Sequence, residues 1–360
     1  MIEYFKDLKD DRQQGKVSHK LTEIVIMVIF AVMAGCDYWE EIEDYCKTKY
    51  DWFVNEFGLK LENGIPSHDT FQRVFQALNP KELQRCFVEW VRSIHTITNG
   101  EIIGIDGKTV RGSKSNKKKA IHMVSAWSSV NNLVLGQTKV DEKSNEITAI
   151  PTLLDMLEIK GCIVTIDAMG CQKKIAEKIV NDNEADFIFG LKGNQENLET
   201  CAKQAFGNAE SIAEATTESK GHGRVEERKY ELIEANLNEE MATQWVGLQS
   251  FGRVTTHVIE NGKERLETRL FATSLTNVDV FANAVRRHWG IENGLHWTLD
   301  IAFREDKNKT WAKHSAENLA VARHIAVNVL KHVPIKMSIE RKRKKCAYDE
   351  RFLTRVLAGL

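Results

Sequence analysis

The sequence contains two short apolar runs that each end on an aspartate: Glu101-Ile-Ile-Gly-Ile-Asp106 and Cys162-Ile-Val-Thr-Ile-Asp167. Runs of β-branched apolar residues predict buried strands, and such strands deliver their last side chain to the edge of a sheet. A third carboxylate, Glu292, lies far downstream within the helical pattern of His288-Trp-Gly-Ile-Glu-Asn293. We expect the three carboxylates to converge from two strand ends and one helix.

Converging carboxylates on separate elements are typical of a site for divalent metal ions. Hard cations such as Mg²⁺ and Mn²⁺ prefer oxygen ligands and retain water molecules for chemistry. A pair of such ions is the arrangement that phosphodiester cleavage by two-metal catalysis requires. The pattern therefore predicts an enzyme that cuts or transfers strands of nucleic acid.

The composition narrows the class of protein. The chain has 360 residues, enough for two domains, and 50 Lys+Arg against 51 Asp+Glu give a net charge of −1. Any nucleic-acid-binding surface must therefore be local. The seven cysteines include no CxxC pair, which argues against a zinc ribbon. The most apolar stretch, Ile24 to Cys36, is shorter than the roughly 20 residues that span a bilayer and predicts a buried helix. We expect a soluble, cytoplasmic protein that does not bind membranes.

Residues 1–98 have the spacing of a helical N-terminal domain. A turn at Gly64–Phe71 leads into a helix that carries Gln72, Arg73 and Gln76 on its exposed side. Short helices around turns could recognise DNA ends, or they could form a plain bundle that supports the next domain. The pattern alone does not decide between these two interpretations.

Residues 99–332 are predicted to form an α/β domain. An antiparallel meander followed by βαβ units fits the mixed sheet of a ribonuclease H-like domain. A β-rich insertion at about 216–275 interrupts that order, with a hairpin at Asn261-Gly262. Residues 333–360 are predicted to form a basic tail around Arg341–Lys345. The predicted strands of the core are 101–106, 120–129, 133–140, 162–167 and 186–191.

The surroundings of the carboxylates leave alternatives open. Gly107 after Asp106 permits a sharp turn and close approach of a substrate. Asp167 precedes Ala-Met-Gly170, where an aspartate also serves as a helix cap. Glu292 is predicted to lie on an inward helix face, where it must be metal-bound or form a structural salt bridge. Beside it, Gly290 and Gly294 leave a smooth strip that DNA or another element can approach. The other residues on the face of Glu292 are Val285, His288, Leu295 and Leu299.

The acidic motifs resemble a known family. Ile105-Asp-Gly-Lys108, Ile166-Asp167 and His288–Trp297 are similar to the three acidic motifs of bacterial insertion-sequence DDE transposases, most closely those of the H-repeat-associated group. The wider superfamily often has Arg four residues before the glutamate and Lys seven after it. Here His288 and Leu299 occupy those positions. The resemblance covers almost the whole chain and includes Ser18–Leu21, Gly64–Phe71 and His222–Arg228.

The resemblance implies a ribonuclease H-like core with a β-strand insertion before the glutamate helix. Asp106, Asp167 and Glu292 would be the catalytic, metal-binding triad, with two Mg²⁺ or Mn²⁺ ions. The implied function is a DNA transposase that cuts at element ends and transfers strands into target DNA, with double-stranded DNA as partner and a homodimer in the DNA complex. The alternatives are a nuclease on the same fold without strand transfer and an inactive DNA-binding remnant of a mobile element.

Basic and aromatic side chains near the triad are candidate DNA contacts. The run Lys117–Lys119 follows Asp106 closely, and a solvated charged loop is the competing interpretation. Arg224 lies in the insertion, where a surface pair with Glu226 or Glu227 is the alternative. Trp289 could stack on an unpaired or flipped base, or pack in the core. The full set is Lys108, Arg111, Lys117, Lys118, Lys119, His222, Arg224, Arg228, Arg287, His288 and Trp289.

Overall fold

The computed structural model describes residues 1–141, 144–208, 213–221, 224–260 and 262–358. Its strands are β1 (Ile102–Val110), β2 (Ile121–Ser128), β3 (Leu133–Lys139), β4 (Ile163–Ile166), β5 (Asp186–Leu191), β6 (Ala213–Gly221), β7 (Arg224–Glu234), β8 (Ser250–Glu260) and β9 (Lys263–Thr273). Its α-helices are α1 (Ile2–Phe5), α2 (Leu21–Ala34), α3 (Trp39–Thr48), α4 (His68–Ala77), α5 (Pro80–Ile94), α6 (Glu146–Asp155), α7 (Lys173–Glu177), α8 (Glu196–Asn208), α9 (Glu239–Gln244), α10 (Val278–His288), α11 (Trp297–Ile301), α12 (Ser315–His332), α13 (Ile339–Tyr348) and α14 (Glu350–Ala358).

The strands form one mixed sheet in the order β3-β2-β1-β4-β5-β9-β8-β7-β6. The central strands β1, β4 and β5 run parallel to one another, and β2 and β3 extend the sheet antiparallel on one side. On the other side β9 pairs antiparallel with β5 and connects β6–β8 to the core sheet. The predicted α/β class with a mixed sheet is confirmed.

The predicted hairpin of the insertion is formed by β8 and β9, which pair down to Glu260 and Lys263. Of its two predicted turn residues, Asn261 lies outside the described residues. Gly262 has a φ of 74°, a conformation that glycine adopts without a Cβ clash. The insertion therefore extends the core sheet from β9 outward.

The helices of residues 1–98 pack directly on the rest of the chain. α2 is buried on almost all sides, as predicted, and it packs against α12 and α13. Asn318 of α12 donates hydrogen bonds to the carbonyls of Phe75 and Leu78 at the end of α4 (both 2.9 Å). Because one hydrophobic core continues from these helices to the sheet, they support the α/β region. Arg73 is exposed, so a DNA-reading role for α4 stays a prediction.

The C-terminal segment is helical and packs on the protein, which corrects the prediction of a basic tail. Its basic run lies in α13, which packs on α2, and two of its members point into the protein. Lys342 donates from Nζ to the carbonyls of Leu330 (2.7 Å) and Val333 (2.9 Å). Arg343 donates from Nη2 to the carbonyl of Val32 (2.8 Å) and pairs with Asp37. These two cations are therefore structural.

No single described helix is long and apolar enough to cross a bilayer. α2 and α3 reach the length and apolar composition of a membrane span only when taken together, and the angle between their axes is 97°.

Candidate active site

Asp106 lies in the middle of β1 and not at the predicted strand end. The strand continues to Val110 because its pairing with β2 extends to Ile121. Alternation along the strand places Gly104, Asp106 and Lys108 on the same face. The Asp106 Oδ1 atom accepts a hydrogen bond from the Gly107 amide (2.8 Å). The carboxylate is thus presented from the face of a central strand, where neighbouring residues fix its direction.

Asp167 follows β4 directly, as predicted. Ile105 of β1 is paired with Ile166 of β4, so Asp106 and Asp167 come next on neighbouring parallel strands. Such strands lie about 4.8 Å apart. Oδ1 of Asp167 accepts hydrogen bonds from the amides of Met169 (3.0 Å) and Gly170 (3.3 Å), at a short 3₁₀ turn. Asp167 therefore does cap a turn, and the cap orients its carboxylate beside Asp106.

Glu292 is exposed, which corrects the predicted inward helix face. It opens a π-helical turn, Glu292–His296, that separates α10 from α11, and the Trp297 amide donates back to the Glu292 carbonyl. A π turn adds a residue to one helical turn, so positions before and after it no longer share one face. Leu295 and Leu299 are buried, whereas Glu292 is exposed to solvent.

The glycines beside Glu292 accommodate another element of the protein and not DNA. Gly290 and Gly294 pack over Trp127 of β2, and a Cβ on Gly294 would lie 2.8 Å from the indole ring. The Ser129 hydroxyl also donates to the carbonyl of Arg287 (2.8 Å). The helix can therefore lie closely on the sheet, which brings Glu292 near Asp106.

The carboxylates influence one another electrostatically. The pKa of Asp106 is raised to about 7, mainly by burial and also by the negative charges of Glu146, Asp167 and Glu292, while the hydrogen bond from the Gly107 amide opposes the shift. Burial, together with Glu146, also raises the pKa of Asp167. The charges of the other two predicted carboxylates, and of the additional carboxylate Glu146, thus act on Asp106.

The fourth carboxylate, Glu146, was not predicted from the sequence. It is the first residue of α6, and its Oε1 atom lies 2.6 Å from His122 Nε2. Both side chains fill the space where a Cβ on Gly107 would stand. Gly107 therefore leaves room for these two side chains inside a continuous strand, and the predicted sharp turn is wrong. A glutamate that opens a helix is common, so its sequence carries no distinctive signal.

A histidine also lies against the site. His296 Nδ1 is 3.6 Å from Asp106 Oδ2, and burial lowers the His296 pKa to about 4. This imidazole is therefore neutral near pH 7 and does not neutralise the carboxylate. Partly buried acids beside a neutral imidazole are a setting that a cation would stabilise.

The donors fit a hard divalent cation by chemistry, because they are carboxylate oxygens from separate rigid elements. Within the described ranges, no three His, Cys, Asp or Glu side chains are close enough to form a complete cation site. Asp106 and Asp167 directly follow a paired position on neighbouring parallel strands, and the side chain of Glu292 is exposed.

Lys108 is held inside the protein. Its ammonium lies 2.8 Å from Asp300, 2.9 Å from Glu305 and 3.5 Å from Asp306, and its side chain is only 10% exposed. Glu305 also pairs with Arg323 of α12 (3.4 Å). This placement makes Lys108 a structural cation that joins β1 to the segment after Glu292, and we do not propose it as a phosphate contact.

The candidates that follow Lys108 are on the surface. Arg111 is 81% exposed, with Asp306 at 3.6 Å, and Lys117–Lys119 are exposed between β1 and β2. Arg287 is exposed and donates to Asn283 (2.9 Å). These side chains are placed to meet a polyanion, and their contact with DNA stays a prediction.

The insertion and α10 enclose a large cleft that begins at Asp167 and has a volume of about 1340 Å³. Trp289 lines it with 44% of its surface exposed, and the Arg269 guanidinium lies 5.4 Å from its ring centroid. The acidic residues along it are Asp167, Glu199, Glu226 and Glu267. The more numerous basic residues are Lys192, Lys203, Arg224, Arg228, Arg253, Arg265, Arg269 and Arg286.

Several of the side chains predicted to contact DNA in this cleft already have partners within the protein. Arg224 and Arg228 both pair with Glu226, so the predicted surface pair of Arg224 is present. His288 Nδ1 lies 2.9 Å from the Thr165 hydroxyl, and burial lowers the His288 pKa to about 4, so it is neutral near pH 7. His222 lies outside the described residues.

Comparisons with known proteins identify the family of this chain. Residues 98–329 match the family described as Transposase DDE domain, and residues 2–91 match the DDE_Tnp_1-associated family. The chain is 41% identical over 375 residues to the protein named "H repeat-associated putative transposase YhhI" of Escherichia coli (strain K12). The alignment covers 100% of this chain and 98% of that protein. The "Inactive transposase YbfQ" of the same strain is 45% identical over 74 residues, covering 21% of this chain and 86% of that protein.

A solved structure, a piggyBac transposase synaptic complex with hairpin DNA, is 11% identical with a TM-score of 0.43, and the match covers 96% of this chain and 76% of that one. That likeness is too distant to assign the fold. The family and full-length matches show that the chain belongs to the bacterial DDE transposases of the H-repeat-associated group, which confirms the resemblance found in the sequence. Domains of this family generally act with divalent metal ions.

The raised pKa of Asp106 predicts a pH-dependent stability. Because the folded protein holds this proton more tightly than the unfolded chain does, the group stabilises the fold below about pH 4, and that contribution is lost as pH rises through about 7. Asp106→Asn should therefore unfold at higher urea than the unmodified protein at pH 8 in metal-free buffer. The gain should shrink toward pH 4. A gain that is equal at both pH values would contradict the assignment, and Asp155→Asn is the control.

Proposed function

We propose that this protein is the DNA transposase of an insertion sequence, which cuts at the ends of its element and joins the resulting 3′-hydroxyl to target DNA. The catalytic residues would be Asp106, Asp167 and Glu292. The observation that carries the proposal is the juxtaposition of Asp106 and Asp167 on paired strands, with Glu292 acting electrostatically on Asp106. Family membership supports the transposase role.

We propose further that the catalytic domain is ribonuclease H-like. The order β3-β2-β1-β4-β5 supports this assignment, because it combines an antiparallel meander with parallel strands reached through α6 and α7. The first acidic residue would then lie on the central strand and the second at the end of its parallel neighbour. In this arrangement β6–β9 are an extension grafted on β5.

The three carboxylates would hold one or two divalent cations, Mg²⁺ or Mn²⁺. When bound, two such ions lower the barrier to phosphodiester cleavage by favouring the attacking oxygen and stabilising the leaving oxygen. The protein's own contribution is positional. The turn capped by Asp167 and the strand pairing of β1 fix two carboxylates, and the packing of Gly294 on Trp127 fixes the helix that carries the third.

The basic cleft would hold DNA beside the triad. It begins at Asp167, and arginines from β8, β9 and α10 line it, where they would contact phosphates without reading sequence. Trp289 is exposed in the same cleft and presents a face on which a base could stack. We propose that Arg224, Arg228 and Trp289 contact the element end there. Each element has two ends, so a homodimer in the DNA complex is the simplest arrangement.

A nuclease on the same fold that cuts without strand transfer is the second candidate function. The geometry of the triad is compatible with both, because both begin with metal-assisted hydrolysis of a phosphodiester. An inactive remnant is less well supported, since the chain aligns over its full length with its relatives and has all three carboxylates. One relative bears the name inactive transposase, but it matches only 21% of this chain.

Removing any one triad carboxylate should abolish DNA cleavage. Asp106→Asn, Asp167→Asn and Glu292→Gln keep the size of the side chain but remove an anionic oxygen ligand. We expect no Mg²⁺- or Mn²⁺-dependent cutting of a duplex that contains the inverted repeats flanking the gene, with binding of that duplex retained. Glu158→Gln, which changes a 75% exposed carboxylate elsewhere, is the matched control. Normal cutting by one of the triad variants would remove that residue from the triad.

If DNA phosphates bind in the cleft, removing its arginines should lower the affinity for DNA and its dependence on salt. Arg265→Gln and Arg286→Gln should each weaken binding to any duplex sequence and flatten the dependence of affinity on salt by about 0.9 per lost phosphate contact. Lys160→Gln is a control, because Lys160 precedes β4 at the end opposite Asp167. If the control reduced the slope as much as the cleft variants do, bulk charge would explain binding and the cleft would have no demonstrated part in it.

A further inference from the structure

Glu146 differs from other glutamates in its position, because it is the first residue of α6 and that helix begins beside the central strands. The helix packs against β2 and β3 and against the turn that follows Asp167. Asn145 caps it by accepting a hydrogen bond from the Ile147 amide (3.1 Å). The first side chain of the helix therefore lies between β1 and the Asp167 turn. Only 13% of it is exposed.

His122 holds the Glu146 carboxylate in place. His122 Nε2 lies 2.6 Å from Glu146 Oε1, and its Nδ1 lies 2.9 Å from the Thr109 hydroxyl. A consistent assignment has Nε2–H donate to the carboxylate while Nδ1 accepts from the hydroxyl. Thr109 and His122 are paired across β1 and β2, so the imidazole is anchored on the strand that carries Asp106.

The missing side chain of Gly107 completes this arrangement. A Cβ at that position would overlap both Glu146 Oε1 and His122 Nε2. A glycine is therefore needed at position 107, because the Glu146 carboxylate and the His122 imidazole occupy the volume that a side chain would fill. The Glu146 carboxylate therefore lies against the backbone next to Asp106, and its negative charge acts on both Asp106 and Asp167.

We propose that Glu146 is a fourth carboxylate of the catalytic site, oriented by His122, which helps to hold the divalent cation beside Asp106. The inference rests on the proposed function, because it assumes that the cation binds at the Asp106–Asp167 pair. Glu146 would add an anionic oxygen from the side of α6, opposite the π-helical turn that carries Glu292. His122 is a positioning residue, since it contacts Glu146 and not the reacting atoms.

The alternative is a structural role, in which Glu146 only favours the N-terminus of α6 and pairs with His122. The two roles differ in what they predict for cation binding. A structural glutamate affects the unfolding temperature and leaves the affinity for a cation unchanged. A site carboxylate affects the affinity for a cation even where the fold is intact.

The test is the affinity of the DNA-free protein for Mn²⁺, measured by titration calorimetry together with the unfolding temperature. Glu146→Gln should weaken Mn²⁺ binding at least about tenfold, the range typical for residues that support a metal site. Gly107→Ala should do the same without any change of charge, because its methyl group displaces the flexible end of Glu146. His122→Gln should weaken binding less, because the carboxylate remains. Asp155→Asn, at the other end of α6, should bind Mn²⁺ normally.

The controls distinguish failure of this inference from failure of the proposed function. If Asp106→Asn loses Mn²⁺ binding while Glu146→Gln and Gly107→Ala bind normally, Glu146 is structural and the inference is overturned. If Asp106→Asn also binds normally, the cation does not bind at this pair, and both the proposed site and the inference fail. If Gly107→Ala unfolds, Glu146→Gln decides alone.

Discussion

The structure depends on holding several negative charges close together in a partly buried cleft. Asp106, Asp167, Glu146 and Glu292 come from a strand, a strand end and two helices, and the last three raise the cost of ionising Asp106. Such repulsion would open a loosely built site, because water does not fully screen buried charges. The surrounding elements must therefore be fixed by interactions strong enough to oppose it until a cation binds.

Two features of the interior provide that resistance. The ammonium of Lys108 lies among Asp300, Glu305 and Asp306, and Glu305 also meets Arg323, so β1 is connected to α12 and to the segment after α11. A buried ion cluster of this kind fixes geometry more than it adds stability, because desolvation offsets much of the attraction. The close packing of Gly290 and Gly294 over the ring of Trp127 fixes the helix bearing Glu292. Both features lie beside the active site and neither contacts the reacting atoms.

The parts of this arrangement that the sequence predicted are those with local patterns. The apolar runs before Asp106 and Asp167 identified two central strands, and the motif around Glu292 identified the third acidic element. The mid-strand position of Asp106 was missed because Gly107–Val110 has no apolar pattern, and only pairing with β2 extends the strand. The exposure of Glu292 was missed because nothing in its sequence marks a π turn.

Long-range contacts account for the remaining differences. Lys108 resembles its basic neighbours in the sequence, yet its partner Glu305 lies 197 residues away. Glu146 is unremarkable as a helix-opening residue until the sheet brings it over Gly107. The basic run at Arg341–Lys345 predicted a basic tail, but the helical phase of α13 turns Lys342 and Arg343 into the protein. In each case the partner was set by the tertiary fold.

The central claim is that this site both cuts and joins DNA. The most direct measurement supplies an element end that is already cut, with a labelled 3′-hydroxyl, together with a supercoiled plasmid, Mg²⁺ and the protein. A transposase should join the labelled end covalently to the plasmid, and Asp106→Asn should form no joined product. Cleavage of intact ends without any joining of the precut end would contradict the claim and favour the nuclease.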